Sequence, residues 1–347
     1  MSRYAHVLNY LTTHPWAIRP ETLHAMIEVL TIRLEGGRLS DDEIAVRMAA
    51  AKAGQGDRAG KRTGVTAVIP IYGVIMPHAS IMDQMSGASS LDQIRGDFRD
   101  AMADEDVARI VFDIDSPGGS VEGVEEFADE VRSQRGVKPI TAVANYLMAS
   151  AAYWIGSQAD EVIASPSSMV GSIGVYAIHQ DMSGAYELLG VRPTLIKAGK
   201  FKAEGIDFEP LGEEARAHFQ ESVDDSYDAF IAGVSKGRGV TGATVRNGYG
   251  EGRALAAKRA KAAGLVDRVD TLDGAFAKTP KMREAKAEDM DPAVVGEADA
   301  MLLGGQGLEP DSLAFAFERE RRERLGLGKA PVTSSATSAG AFLPRRG

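Results

Sequence analysis

The stretch Ala108-Arg109-Ile110-Val111-Phe112-Asp113-Ile114-Asp115-Ser116-Pro117-Gly118-Gly119-Ser120 decides how the rest of the chain is read. Ala108–Ile114 is an apolar run of strand length, suited to a parallel strand covered on both faces. A turn follows, in which Pro117 presets its own φ while Gly118 and Gly119 permit positive φ and close approach of the backbone to a ligand. Val121–Val131 then has helical spacing. Strand, glycine turn and helix make one β–α unit, and similar units lie on both sides of it. Upstream, Val65–Ile75 is strand-like, interrupted by Pro70 and Gly73, and Leu91–Met102 is an amphipathic helix. Downstream, Ile140–Ala144, Glu161–Ala164 and Ile173–Ile178 read as strands and Ser150–Ser157 as a helix. This alternation predicts an α/β fold with parallel strands and right-handed crossovers.

The unit closes with a long helix at Leu211–Val234, which sets Phe219, Val223, Tyr227, Phe230 and Ile231 on one stripe. Ala254–Ala263 and the stop Gly264-Leu265-Val266-Asp267 complete it near residue 278. Three regions are expected. Residues 1–60 form a helical segment and linker, with Leu23, Met26, Ile27, Leu30 and Leu34 on one helix and Ile44, Val46 and Met48 on another. The polar, glycine-rich stretch 54–62 is the linker. Residues 61–278 form the main domain. Residues 279–347 form a charged, low-complexity extension, with a charged helix at 309–325 and a Ser/Thr/Ala/Gly/Pro-rich end expected to be disordered.

Composition removes several function classes. The net charge of -10 opposes nucleic acid as the main partner, because phosphate neutralisation needs a basic face. The chain has no cysteine, which excludes disulfides, thiol catalysis and cysteine-ligated metal. No window approaches 18 uninterrupted apolar residues, and no basic-then-apolar signal opens the chain. A cytoplasmic protein with no integral membrane anchor, no cofactor and no metal is expected.

The candidate chemistry is acyl transfer, which needs a nucleophile, a base and an oxyanion site. Amides at Gly118 and Gly119 can face a developing oxyanion. Met148-Ala149-Ser150-Ala151-Ala152-Tyr153-Trp154 sets a serine at a strand–helix junction among small neighbours, with the Ala151 N–H as a second oxyanion donor. No histidine sits in a recognisable triad context: His6, His14 and His24 are N-terminal, His78 precedes a crossover helix, His179 ends a strand and His218 lies on the long helix. Lys202, in Gly199-Lys200-Phe201-Lys202, is the better base, because burial in an apolar cleft lowers a lysine pKa by several units. Lys197 and Lys200 are its rivals. Ser172, in Val170-Gly171-Ser172-Ile173-Gly174-Val175, can orient the lysine amine. Taken singly, each feature also suits a plainer role: a strand-to-helix turn, an N-cap serine, a solvated basic loop, or a glycine-bracketed strand start.

Taken together, in this order and spacing, the Ser116-Pro117-Gly118-Gly119, Ala149–Tyr153, Gly171–Val175 and Gly199–Lys202 segments resemble peptidase family S49 over roughly residues 65–275. That family includes signal peptide peptidase A and protein-C-type proteases of tailed-phage heads. The resemblance implies a Clp-protease-like (crotonase-type) fold. It implies Ser150 as nucleophile, Lys202 as general base, Ser172 in support, and Gly118 or Gly119 with Ala151 as the oxyanion hole. Ala151-Ala152 stands where bacterial members usually carry glycines, and alanine keeps the N–H. The phage branch fits best, through His14-Pro15-Trp16-Ala17-Ile18 and Ser150–Trp154. It implies a head-maturation protease that cleaves scaffold, portal or coat-associated proteins and assembles with copies of itself. Two other readings stay open: a host-type signal-peptide peptidase, and a catalytically inactive assembly or scaffold subunit. An acyl-CoA enzyme on the same fold is more distant.

Overall fold

The sheet grows outward from the strand quoted above. In the computed structural model, residues 15–24, 26–27, 66–78 and 88–283 are described, and all structural statements concern these. Ala108–Ile114 becomes the heart of β4 (Arg109–Ser120), which pairs in parallel with β2 (Thr66–Met76) on one side and β5 (Ile140–Ala149) on the other. Beyond β2 lies β3 (Ala88–Ser90), and beyond β5 lie β6 (Glu161–Ala164) and β9 (Arg268–Val269), all parallel. Two antiparallel pairings complete the sheet: β1 (Trp16–Ile18) on the end of β4, and β8 (Ala254–Ala256) on β7 (Met169–Gly171), which itself pairs in parallel with β5. The expected mostly parallel α/β architecture is the one observed.

Both faces of β4 are covered, which explains its unbroken apolar run. Ile110, Phe112 and Ile114 enter the main core, while Val111 turns the other way onto Val143, Ile163 and Ala275. Phe112 packs against Phe98 of α1 (Leu91–Ala103) and Phe127 of α2 (Val124–Ser133), with ring centroids 5.7–6.3 Å apart. The short helix α3 (Ala151–Gly156) is fully buried. A small surface helix, α4 (Ser183–Leu188), precedes the long helix α5 (Glu213–Arg238). Trp154 of α3 stacks on Phe230 of α5, centroids 4.6 Å apart and 6° from parallel. Gly233 makes that approach possible, since a Cβ there would stand 2.3 Å from Trp154 Nε1.

Four expectations are corrected. Residues 16–18 are a strand and not part of a helical segment; Pro15 and Pro20 frame them, and the free edge of β4 takes up their backbone. Helical residues do begin at Pro20, with Leu23 and Ile27 buried as expected. The strand expected at 173–178 is absent; β7 ends at Gly171, and the only pairing beyond it is a bridge from Tyr176 to Trp16. Ser116–Ser120 continues β4 and is no terminating turn, and Ala254–Ala256 is a strand ahead of its helix (Ala257–Ala263). The second N-terminal helix, the 54–62 linker and the 309–325 helix lie outside the described residues. Among those described, no helix is long and apolar enough to cross a membrane.

Candidate active site

β5 sets the site by changing partners. It pairs with β6 up to Ala144, then with β7 from Leu147 to Ala149. Ser150 follows at once, its N–H donating to the Gly171 carbonyl at 2.7 Å and its carbonyl accepting from Tyr153 and Trp154 N–H at 2.8 and 3.0 Å. The residue is thus held by a strand on one side and a helix on the other. Its backbone is strained, with φ 57° and ψ −124°. Only three non-glycine residues among those described have positive φ, and two are Ser150 and Ser172, the latter at φ 55°. Strain of this kind persists where the surroundings over-determine it, and it clusters at functional sites.

Ser150 is completely buried and its Oγ has no hydrogen-bond partner. A serine serving as a helix N-cap would bond the first helical N–H groups, and this one makes no such bond. The plainer reading of Ser150 as a cap therefore fails on geometry.

Gly118 stands directly over it at φ 100°. A Cβ added to Gly118 would lie 2.8 Å from Ser150 Cβ, 3.0 Å from the Ala149 carbonyl oxygen and 2.2 Å from the Ala17 carbonyl oxygen. Only glycine fits. The Gly118 N–H donates to Ser116 Oγ at 3.2 Å, and Ser116 Oγ in turn donates to the Gly73 carbonyl at 2.6 Å. Gly119 lies in the ladder between β2 and β1, opposite Ile75 and Ala17. Ala151 opens α3, ahead of the first intrahelical bonds, where N–H groups have no partner within the helix. Ser172, buried, sits one residue past the Ala149–Gly171 pair and donates its N–H to the Arg253 carbonyl at 3.0 Å. The structure thus gathers Gly118, Ser150, Ala151 and Ser172 at one end of β5.

Lys202 is not gathered with them. It lies in an exposed turn, and Ser150 Oγ, lacking any partner, is not bonded to its amine. Lys200 is engaged elsewhere, pairing with Glu214 at 2.6 Å and lying over the Phe201 ring. Within the arm that carries these lysines, the Met182 N–H bonds the Asp207 carbonyl and Tyr186 meets Phe208 edge-on. Leu188 and Ile196 are 91% and 93% exposed. No described histidine bonds Ser150; His78 pairs with Asp92 at the surface. Among the described residues, no group of three or more His, Asp or Glu could hold a metal ion.

Sequence reasoning missed the positive φ of both serines and the approach of β1. Gly171 just before Ser172 hinted at the first. Nothing in residues 16–18 pointed to Gly118.

Residues 132–286 match the model of peptidase family S49. The chain is 34% identical over 175 residues to the head-tail preconnector protein GP5 of Enterobacteria phage P21, covering 50% of this chain and 35% of that protein. It is 29% identical over 246 residues to the capsid assembly protease C of Escherichia phage lambda, covering 70% and 56%. It is 29% identical over 238 residues to Protease 4 of Salmonella typhi, covering 66% and 36%. The chain therefore spans between about a third and somewhat over half of the length of these relatives. The matched segment holds Ser150, Ser172 and Lys202 on the architecture described above, and over it the chain is similar to peptidase family S49.

Proposed function

We propose that this protein is a serine endopeptidase in which Ser150 is the nucleophile and Lys202 the general base. The observation that carries the reading is Ser150 itself: strained, fully buried, its hydroxyl without a hydrogen-bond partner, and faced by a glycine that could be no other residue. In the proposed cycle, Ser150 Oγ attacks a peptide carbonyl and its proton passes to the Lys202 amine. The oxyanion is held by N–H groups of Ala151 and of Gly118 or Gly119, the Gly118 N–H turning from Ser116 Oγ. The ammonium then protonates the leaving amine; water attacks the acyl carbon while giving a proton to the Lys202 amine, and that ammonium returns the proton to Ser150 Oγ as the acid departs.

A general base must lie within hydrogen-bond reach of the proton it takes. The role therefore requires the arm 182–210 to carry Lys202 out of solvent and onto Ser150, with Ser172 receiving the amine. Burial of the exposed arm against a second copy of the chain would supply that desolvation, and we propose a homo-oligomer as the working form.

The proposed substrates are capsid-assembly proteins of a phage or prophage, namely scaffold, portal or coat-associated chains, cleaved in the host cytoplasm within the forming head. The similarity to capsid assembly protease C, which extends over 70% of this chain, supports this reading. Residues 279–347 would then be a scaffold-like extension. The similarity to Protease 4 favours a second reading, degradation of membrane-derived peptides.

The test is cleavage of purified candidate head proteins and of signal-peptide fragments by the native chain, Ser150→Ala and Lys202→Ala. Discrete cuts in head proteins, lost in both variants, support the first reading. Cleavage of signal-peptide fragments alone supports the second, and near-native turnover by either variant overturns the mechanism.

A further inference from the structure

We infer that residues 16–19 fill the peptide groove of this active site as a built-in strand and must leave it before substrate enters. The inference rests on the reading of Ser150 as the nucleophile.

The groove is defined by what β5 vacates. Up to Ser116, β4 has β5 on its flank; beyond that, β5 bends away toward Ser150 and leaves the edge of residues 117–120 open. β1 lies along that edge in antiparallel register, Trp16 opposite Ser120, Ala17 opposite Gly119 and Ile18 opposite Gly118, with the Arg19 N–H donating to the Pro117 carbonyl at 3.1 Å. Its other edge is also taken. The Trp16 N–H donates to the Tyr176 carbonyl at 2.8 Å, and the Tyr176 N–H donates to the Trp16 carbonyl at 3.1 Å. A three-residue strand is thus clamped by backbone on both sides, which is how a sheet edge takes up an extended peptide.

Its position is the one a scissile segment needs. The carbonyl oxygen of Ala17 and the Cβ of Ser150 both crowd the same missing side chain of Gly118, at 2.2 and 2.8 Å from it. The backbone of β1 and the side chain of Ser150 therefore converge on the same point beside Gly118.

The seating is separable from the fold. Trp16, Ile18, Leu23 and Ile27 make their own apolar cluster with Val74, Met76, Tyr176 and Ile178, apart from the main core, to which Ala17 alone of the strand belongs. With β1 in place, two hydroxyls in the groove, Ser150 Oγ and Tyr176 Oη, are buried without a partner. Each unmet hydroxyl opposes the seating, so β1 is held less tightly than its apolar contacts alone would hold it. The occupant also describes the substrate: an extended strand with a small residue over Ser150 and bulky apolar residues on either side.

The test uses the full chain with Ser150→Ala, so that nothing is cleaved, and a fluorescein-labelled peptide copying residues 14–20. Fluorescence anisotropy is read with and without Trp16→Ala and Ile18→Ala together. The expected result is binding at least about tenfold tighter in the variant, because a groove occupied in most molecules has its apparent affinity reduced by the free fraction. Equal affinity, or no binding by a folded variant, overturns the inference. Amide exchange in the unmutated chain decides it independently of the variant's folding. The Trp16 and Arg19 amides should exchange through a local opening, well ahead of Phe112; exchange as slow as Phe112 makes β1 a permanent wall. Failure of Ser150 to react with a fluorophosphonate in any variant would remove the peptidase reading, while the binding and exchange results would still decide whether β1 leaves its groove.

Discussion

The two halves of the proposed dyad sit in opposite kinds of structure. Ser150 is locked between β5 and α3, buried, strained, and overlaid by Gly118 at a distance no side chain tolerates. Lys202 rides on an arm whose apolar residues, Leu188 and Ile196 among them, face solvent. The difference is instructive. The nucleophile's geometry is an outcome of sheet formation and exists in the isolated chain. In the proposed mechanism the base's geometry comes from a further packing event. The proposed activity is therefore preorganised on one side and conditional on the other, and the inferred departure of β1 from the groove beside Ser150 adds a second condition.

Substitutions can break or sharpen this contrast. The largest effect is expected at Ser150→Ala, which should lower peptide turnover by about 10³-fold or more while leaving the melting curve near native. Gly118→Ala should come next. It strains a positive-φ position and drives a methyl into the Ala17 carbonyl and Ser150, so both activity and the thermal midpoint should fall together. Trp154→Ala removes the stack on Phe230 and opens a cavity between α3 and α5. It should cost about 3–5 kcal/mol in denaturant melts. Native-like stability of that variant would contradict the claim that α3 is firmly held.

Asp267 tests the frame behind α3 by pH. Burial alone would raise its pKa. The forked Arg238 guanidinium, at 2.8 and 3.0 Å, with the Val162 N–H at 2.8 Å and Arg283 at 3.0 Å, overcomes this and holds the carboxyl below its ordinary range. A carboxylate lowered on folding contributes stability above its unfolded pKa of about 3.9, and that contribution is lost as pH falls through the lower, folded value. Asp267→Asn should therefore destabilise by about 1–3 kcal/mol at pH 7. The penalty should shrink in strongly acidic solution; a penalty independent of pH would refute the ion-pair account. The smallest effect is expected on the arm, where Lys200→Ala breaks an exposed pair with Glu214 and should leave the melting temperature unchanged.

Much of the scaffold was legible in the residues. The apolar run at 108–114 announced a strand covered on both faces, because both faces of β4 meet apolar side chains. Gly118 and Ser150 stood out by type and spacing. What could not be read was set by long-range pairing. Residues 173–178 have strand character, yet only Tyr176 finds a partner, because β7 and β8 take up the neighbouring ladder. Trp16-Ala17-Ile18 resembles the start of a helix until the open edge of β4, a hundred residues on, claims its backbone. The strain at Ser150 and Ser172 is likewise a property of the assembled sheet, at which Gly171 only hints in the sequence. Lys202 was legible as a residue type and motif; its place in an exposed turn was not.

The most direct test of the account is time-resolved labelling of the native chain with a fluorophosphonate, followed by peptide mass mapping. The account predicts one adduct, on Ser150, absent in Ser150→Ala and strongly slowed in Lys202→Ala. An adduct on another serine, or none on Ser150 over the full time course, would contradict it.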